Sequence, residues 1–198
     1  MSKYNIILAS ASPRRKELLK MLLGNFGLTF KIKPADIVET LPIRSSKPEN
    51  IAVGFSEFKA RETGKRNAGI IIGADTIVVL GNKILGKPVS EADAKKMLRM
   101  LSGRKHKVYT GISIFDSMKN KIYISFEKTY VTFRRINSKE IEHYINTGSP
   151  MDKAGAYGIQ DDLGSTFVSR IEGDYFNVVG LPVVKTYLGL KKFIDFGV

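Results

Sequence analysis

Apolar and polar positions alternate along this chain in two distinct rhythms. Asn5-Ile6-Ile7-Leu8-Ala9 is a short continuous apolar run and reads as a strand buried on both faces. Leu18, Leu19, Leu22 and Leu23 then fall at helical spacing, with Ser12 as N-cap and Pro13 as first helical residue. A second helix is expected over Lys47 to Gly64, carrying Ile51, Phe55, Phe58 and Glu62 at spacings of three and four, with Gly64 as its C-cap. Ile70-Ile71-Ile72 and Thr76 to Leu80 read as strand segments bracketing Gly73-Ala74-Asp75, and Gly81-Asn82 as a hairpin turn into Lys83-Ile84-Leu85.

Ser90 caps a predicted helix through Ala94, Met97, Leu98 and Leu101, stopped by Gly103. Two longer strands, Lys107 to Phe115 and Lys121 to Arg134, are joined by the polar turn Ser117 to Asn120. Ser138 starts a helix that ends at Gly148, and Pro182 starts the last, with Val184, Tyr187, Leu188 and Phe193 or Ile194 facing inward. Hairpins occur beside crossovers, so the pattern predicts an α/β fold with a mixed sheet rather than a doubly wound parallel one.

Composition narrows the picture. The 198 residues suit one domain, 1–198, and 43% hydrophobic with 10% aromatic residues can build a core. Lys plus Arg number 32 against 19 Asp plus Glu, a formal charge of +13, so the partners to expect are anions: nucleic acid, acidic membrane or phosphorylated small molecules. A solvated lysine-rich surface is the plainer explanation for most of these charges. Without cysteine there is neither a disulfide framework nor a thiolate metal site. The opening apolar run is too short for a signal sequence or membrane span, which makes the cytoplasm the expected compartment.

Three segments could carry chemistry. Ser10-Ala11-Ser12-Pro13-Arg14-Arg15 leads from a buried strand into a capped helix, leaving backbone N–H groups beside two hydroxyls and two guanidinium groups. That set suits phosphate oxygens, and equally an ordinary N-cap with surface arginines. Asp75, in Gly73-Ala74-Asp75-Thr76, is a carboxylate in an otherwise apolar stretch, and such a group holds a metal, a cation or a backbone donor. With a two-residue Gly81-Asn82 turn, Leu80 pairs with Lys83 and Thr76 falls opposite Lys87, drawing Gly86-Lys87-Pro88 towards Asp75. A Lys and an Asp about 4 Å apart attract by about 4 kcal/mol at an effective dielectric of about 20. In Asp152-Lys153-Ala154-Gly155-Ala156-Tyr157-Gly158-Ile159-Gln160, small residues admit a flat ligand and Gln160 offers one donor and one acceptor face to a base edge. A plain glycine-rich turn explains that composition too. Glu39 is a candidate second metal carboxylate, Lys59 sits on a helix with Phe55 and Phe58, and His106 and His143 lack metal-pair spacing and read as structural or surface residues.

Taken together these motifs resemble the Maf family. The resemblance rests on Ser10 to Arg15, Gly73 to Thr76, Gly86 to Pro88, Leu101-Ser102-Gly103 followed by His106 and Thr110-Gly111, Asp152 to Gln160, and Gly173 to Pro182, and it runs from about residue 5 to 190. It implies an elongated mixed β-sheet flanked by helices, two lobes around a cleft, similar to inosine triphosphate pyrophosphatases. It further implies hydrolysis of a nucleoside triphosphate between the α and β phosphates with Mg²⁺ or Mn²⁺. By that analogy Ser10, Arg14, Arg15, Lys59 and Lys87 hold the triphosphate, with Lys87 counted among the catalytic residues. Asp75 activates water or holds metal, and Glu39 is a second acid. The family branch that resembles dTTP/UTP pyrophosphatases has Arg, Thr and Gln where this chain has Arg14, Thr76 and Gln160; the branch acting on 7-methyl-GTP has Trp, Gln and Glu there. Val38-Glu39 stands where the family often has Asp-Glu, and Ser149 replaces a common Glu. The expected partner is a nucleoside triphosphate, with neither a stable nucleic-acid complex nor a membrane, and the analogy is compatible with a homodimer. Two rival classes are a nucleic-acid-binding protein, which would interleave aromatics with Lys and Arg on one face, and a nucleotide-binding regulator of septum formation.

Overall fold

A computed structural model describes residues 4–35, 45, 47–161 and 163–198. Seven strands form a mixed sheet in the order β2-β1-β3-β5-β6-β7, with β4 paired to β3. They are β1 (Ile6–Leu8), β2 (Phe30–Ile32), β3 (Ile70–Leu80), β4 (Lys83–Leu85), β5 (Lys105–Asp116), β6 (Lys121–Phe133) and β7 (Val168–Glu172). The helices are α1 (Pro13–Gly24), α2 (Pro48–Arg66), α3 (Glu91–Leu101), α4 (Ser138–Asn146), α5 (Tyr175–Val179) and α6 (Val183–Leu190). β1 runs parallel to both β2 and β3, whereas β4 against β3 and β7 against β6 are antiparallel. Among the described residues no helix is long and apolar enough to cross a membrane.

The chain divides into two compact units, one of Met1–Asp75, Thr110–Glu127 and Gly180–Val198, the other of Thr76–Tyr109 and Lys128–Val179. In the first unit, glycine decides how helix meets strand. A Cβ on Gly73 would lie 2.1 Å from the Ser56 carbonyl oxygen, and one on Gly111 would lie 2.4 Å from that of Ala52. α2 therefore rests flush on the strands, and its buried stripe is Ala52, Ser56, Ala60 and Thr63 rather than the phenylalanine face that spacing predicts. The same contact logic carries Gly64 into the helix interior, where its Cα faces the Phe115 ring; α2 continues to Arg66. α6 repeats it. A Cβ on Gly189 would meet Tyr123 at 2.5 Å, so Thr186, Gly189 and Leu190 point inward while Val184 and Leu188 are 64% and 53% exposed, the reverse of the expectation for both.

Gly73-Ala74-Asp75 does not interrupt the strand as the pattern suggests: β3 runs unbroken from Ile70 to Leu80. The hairpin register is the one counted from sequence, Leu80 opposite Lys83, with Gly81 at a positive φ of 59°. Several aromatics on β6 lie under lysine ammonium groups. Lys192 lies over Tyr123 and Lys185 over Phe126 in the first unit, and Lys105 and Lys128 lie over Tyr130 in the second.

The second unit has an apolar core in which Val78, Leu98, Phe133, Tyr144 and Phe167 belong to one cluster. Its helices start as their sequences dictate. Ser90 accepts the Asp93 N–H at 3.2 Å, and Asn137 with Glu140 forms a reciprocal capping box.

Candidate active site

Two neighbouring parallel strands assemble the charged part of the site. Leu8 pairs with Ile72, and the Ala9 N–H donates to the Ile72 carbonyl at 2.8 Å, so the chain leaves β1 beside Gly73-Ala74-Asp75. The loop after β1 then turns tightly. Ser10 Oγ accepts the Ser12 N–H at 3.3 Å, Ser12 caps α1 by accepting the Arg15 N–H at 3.5 Å, and Pro13 occupies the first turn. This is a helix N-terminus with hydroxyls and arginines around its orphan N–H groups.

Arg15 is held from two sides. Its Nη1 donates to Ser10 Oγ at 3.1 Å and its Nε to the Gly180 carbonyl at 2.8 Å. Burial pulls the guanidinium below its ordinary value; the Asp75 carboxylate raises it again, and Arg14 adds to the lowering. Arginine stays charged through such a shift, so a fixed cation faces Asp75.

Asp75 itself is bonded to the Lys59 ammonium, with side-chain exposures of 19% and 15%. The pair exists because α2 rests on β3: with Gly73 beneath Ser56 and Ala60, Lys59 reaches Asp75, two residues further along the strand. A partner for Asp75 thus comes from the helix that also carries Phe55 and Phe58. The structure brings Ser10, Arg15, Lys59 and Asp75 together in the first unit, with half-buried Arg14 beside them.

Thr76, Lys87 and Gln160 belong to the second unit. Thr76 follows Asp75 on β3 and is half-buried. The last observed hairpin pair is Val78 with Leu85, so exposed Lys87 lies two residues beyond the ladder. Gln160 is exposed in a turn. Glu39 lies outside the described residues, as does most of the Ala35 to Thr40 segment. Among the described residues no group of three or more His, Asp or Glu is placed to hold a metal ion.

The Asp152 to Gln160 segment is more than a small-residue turn. Gly155 and Ala156 take positive φ of 71° and 60°, and a Cβ on Gly155 would sit 3.0 Å from a Val78 methyl. Tyr157 is buried with its hydroxyl 2.9 Å from His106 Nε2, which places His106 as a core residue; His143 is exposed. Burial lowers the His106 pKa to about 4. The sequence pattern did not single out Tyr144 and Asp161, whose polar contacts, with those of Lys153, underlie this loop. The available signal was a lysine and acids crowded among small residues.

A family model described as Maf-like protein matches residues 5–193, a span that contains every one of these motifs. The chain belongs to the Maf family. Among its relatives, a protein named dTTP/UTP pyrophosphatase from Clostridium botulinum (strain Loch Maree / Type A3) is 48% identical over 186 residues, covering 91% of this chain and 93% of that one. One of the same name from Bacillus cereus (strain ATCC 10987 / NRS 248) is 47% identical over 189 residues, covering 95% and 89%. A solved HAM1 protein from Coxiella burnetii is 20% identical with a TM-score of 0.49, covering 67% of this chain and 74% of that one. The Maf motifs map onto the site just described: the β1–α1 loop supplies Ser10, Arg14 and Arg15, and β3 supplies Asp75.

Proposed function

We propose that this chain hydrolyses dTTP and UTP to the nucleoside monophosphate and pyrophosphate. The observation that carries the reading is the Lys59–Asp75 pair set beside Ser10 and Arg15 at the start of α1. A carboxylate paired with Lys59 and facing Arg15 at a helix N-terminus is a place for a polyanion and a reacting water. The 48% identical relative named dTTP/UTP pyrophosphatase, together with Arg14, Thr76 and Gln160 at the branch-marking positions, supports the pyrimidine specificity.

In this reaction a water oxygen bonds to the α phosphorus, the bond from that phosphorus to the bridging oxygen breaks, and pyrophosphate leaves with the electron pair. Asp75 orients the water and takes its proton. Lys59 fixes the carboxylate, while Arg14, Arg15 and Lys87 bind phosphate oxygens and meet the charge that grows on the leaving group. Thr76 and Gln160 read the base, since polar groups left unsatisfied by the wrong ring penalise it.

A part-exposed carboxylate beside a phosphate site fits Mg²⁺ or Mn²⁺, which takes one or two carboxylates together with substrate phosphates. Asp75 would hold the ion, with Glu39 as the second candidate ligand. When bound, such an ion neutralises phosphate charge.

A pyrophosphate-release assay over a panel of pyrimidine and purine triphosphates tests the proposal. dTTP and UTP are expected to lead the panel, and Asp75→Asn to bind nucleotide while turnover drops about a hundredfold or more. Near-normal turnover of that variant would remove Asp75 from its role, and a flat panel would remove the base preference.

A further inference from the structure

Gln160 lies in a four-residue turn, Gly158 to Asp161, closed by the Asp161 N–H donating to the Gly158 carbonyl at 3.3 Å. Both ends of that turn meet on a single phenol. Tyr144 Oη accepts the Gly158 N–H at 3.0 Å and donates to Asp161 Oδ2 at 2.5 Å. The Ser149 hydroxyl donates to the same oxygen at 2.7 Å, and the Lys153 ammonium stands 3.4 Å from it while bonding Asp152 Oδ1 at 2.6 Å. Beyond the turn, the Asp161 carbonyl accepts the Ser165 N–H at 2.8 Å.

Glycine makes the closeness possible. A Cβ on Gly158 would lie 2.5 Å from the Asp161 carboxyl, and one on Gly164 would lie 2.5 Å from the Gly158 carbonyl and 2.8 Å from the Tyr144 hydroxyl. The side chains of Lys153 and Asp161 are 8% and 18% exposed. Holding charges at that depth gains little stability over an apolar filling, and what such a network does supply is a single geometry. Burial and the Asp161 charge both push the Tyr144 pKa upward, so the phenol stays a neutral donor.

We infer that the Tyr144–Asp161 clamp is a positioning device for substrate specificity: it sets the turn that presents the Gln160 amide to the base. Tyr144 is fully buried, and it acts through the backbone of the turn. The inference rests on the base-reading role of Gln160 proposed above.

The test compares Tyr144→Phe, Asp161→Asn and Gln160→Ala, with kcat and KM measured separately for dTTP, UTP and a purine triphosphate. Tyr144→Phe keeps the ring, whose centroid is 5.2 Å from that of Phe167, and deletes only the hydroxyl. Asp161→Asn is the second variant should the first be poorly folded. Either is expected to lower kcat/KM for dTTP and UTP roughly tenfold through KM, with the purine value changed by less than about twofold. Placed in the Gln160→Ala background, Tyr144→Phe is expected to add no further loss of selectivity. If Gln160→Ala abolishes the pyrimidine preference while both clamp variants retain it, the clamp is refuted and the base-reading role stands. Equal losses on all three nucleotides would mark the network as merely structural, which also overturns it. If Gln160→Ala leaves the preference intact, base reading by Gln160 falls and the clamp falls with it.

Discussion

The β1–α1 loop with its β3 carboxylate and the 153–161 loop solve the same problem, holding polar groups still, by opposite means. In the first, regular elements do the holding. A parallel strand pair sets Ser10 beside Asp75, a capped helix begins at Pro13, and α2 delivers Lys59. In the second, the backbone is irregular and the holding is done by side chains: Tyr144, Asp161, Ser149 and Lys153 beneath, and His106 with Tyr157 alongside. On the proposed function, phosphate groups are alike in every nucleotide, so a site built from element ends would serve them all. Distinguishing bases requires a contact tuned to one ring, and a loop on a side-chain network can be retuned without disturbing the sheet.

The comparison breaks most readily at Gly73. Gly73→Ala pushes a methyl against the Ser56 carbonyl, which must lift α2 from β3. The expected cost is about 3 kcal/mol or more in chemical denaturation, with turnover falling alongside because Lys59 leaves Asp75. Wild-type stability and turnover together would show that glycine does not set this approach.

Next in size is an acid-sensitive loss from the second unit. His106 is neutral in the folded protein with a pKa of about 4, below its ordinary 6.5. On acidification the unfolded chain takes up the proton first, so this contribution is fully present above about pH 6.5 and is lost as pH falls towards about 4. The shift corresponds to about 3 kcal/mol. The stability difference between wild type and His106→Gln should shift against wild type by about that amount as pH falls through the window; a difference independent of pH would contradict it.

The smallest effect is expected at the first loop's cap. Ser12→Ala removes a bond of 3.5 Å to the Arg15 N–H and should cost about 1 kcal/mol by thermal unfolding, leaving base preference untouched. A change in the dTTP-to-purine ratio would mean that the two loops are not functionally separate.

By itself, the amino-acid order determined the strands and caps that form within one segment. Ile6 to Leu8 as a buried strand, Ser12 and Pro13 at a helix start, the Gly81-Asn82 register and the Ser90 cap are all local matters of backbone dihedrals, caps and alternation. The motifs at Ser10 to Arg15, Asp75 and Gln160 were legible for the same reason, since rare residue types stand in distinctive surroundings. Tertiary structure alone decided which face of α2 and α6 turns inward, because Gly73, Gly111 and Gly189 favour small stripes over large apolar ones and no periodicity carries that information. It alone chose Lys59 as the partner of Asp75 and Tyr144 as the clamp on the Gln160 turn. These contacts join residues 16 and 17 positions apart, and their energies exist only once the strands and helices have packed.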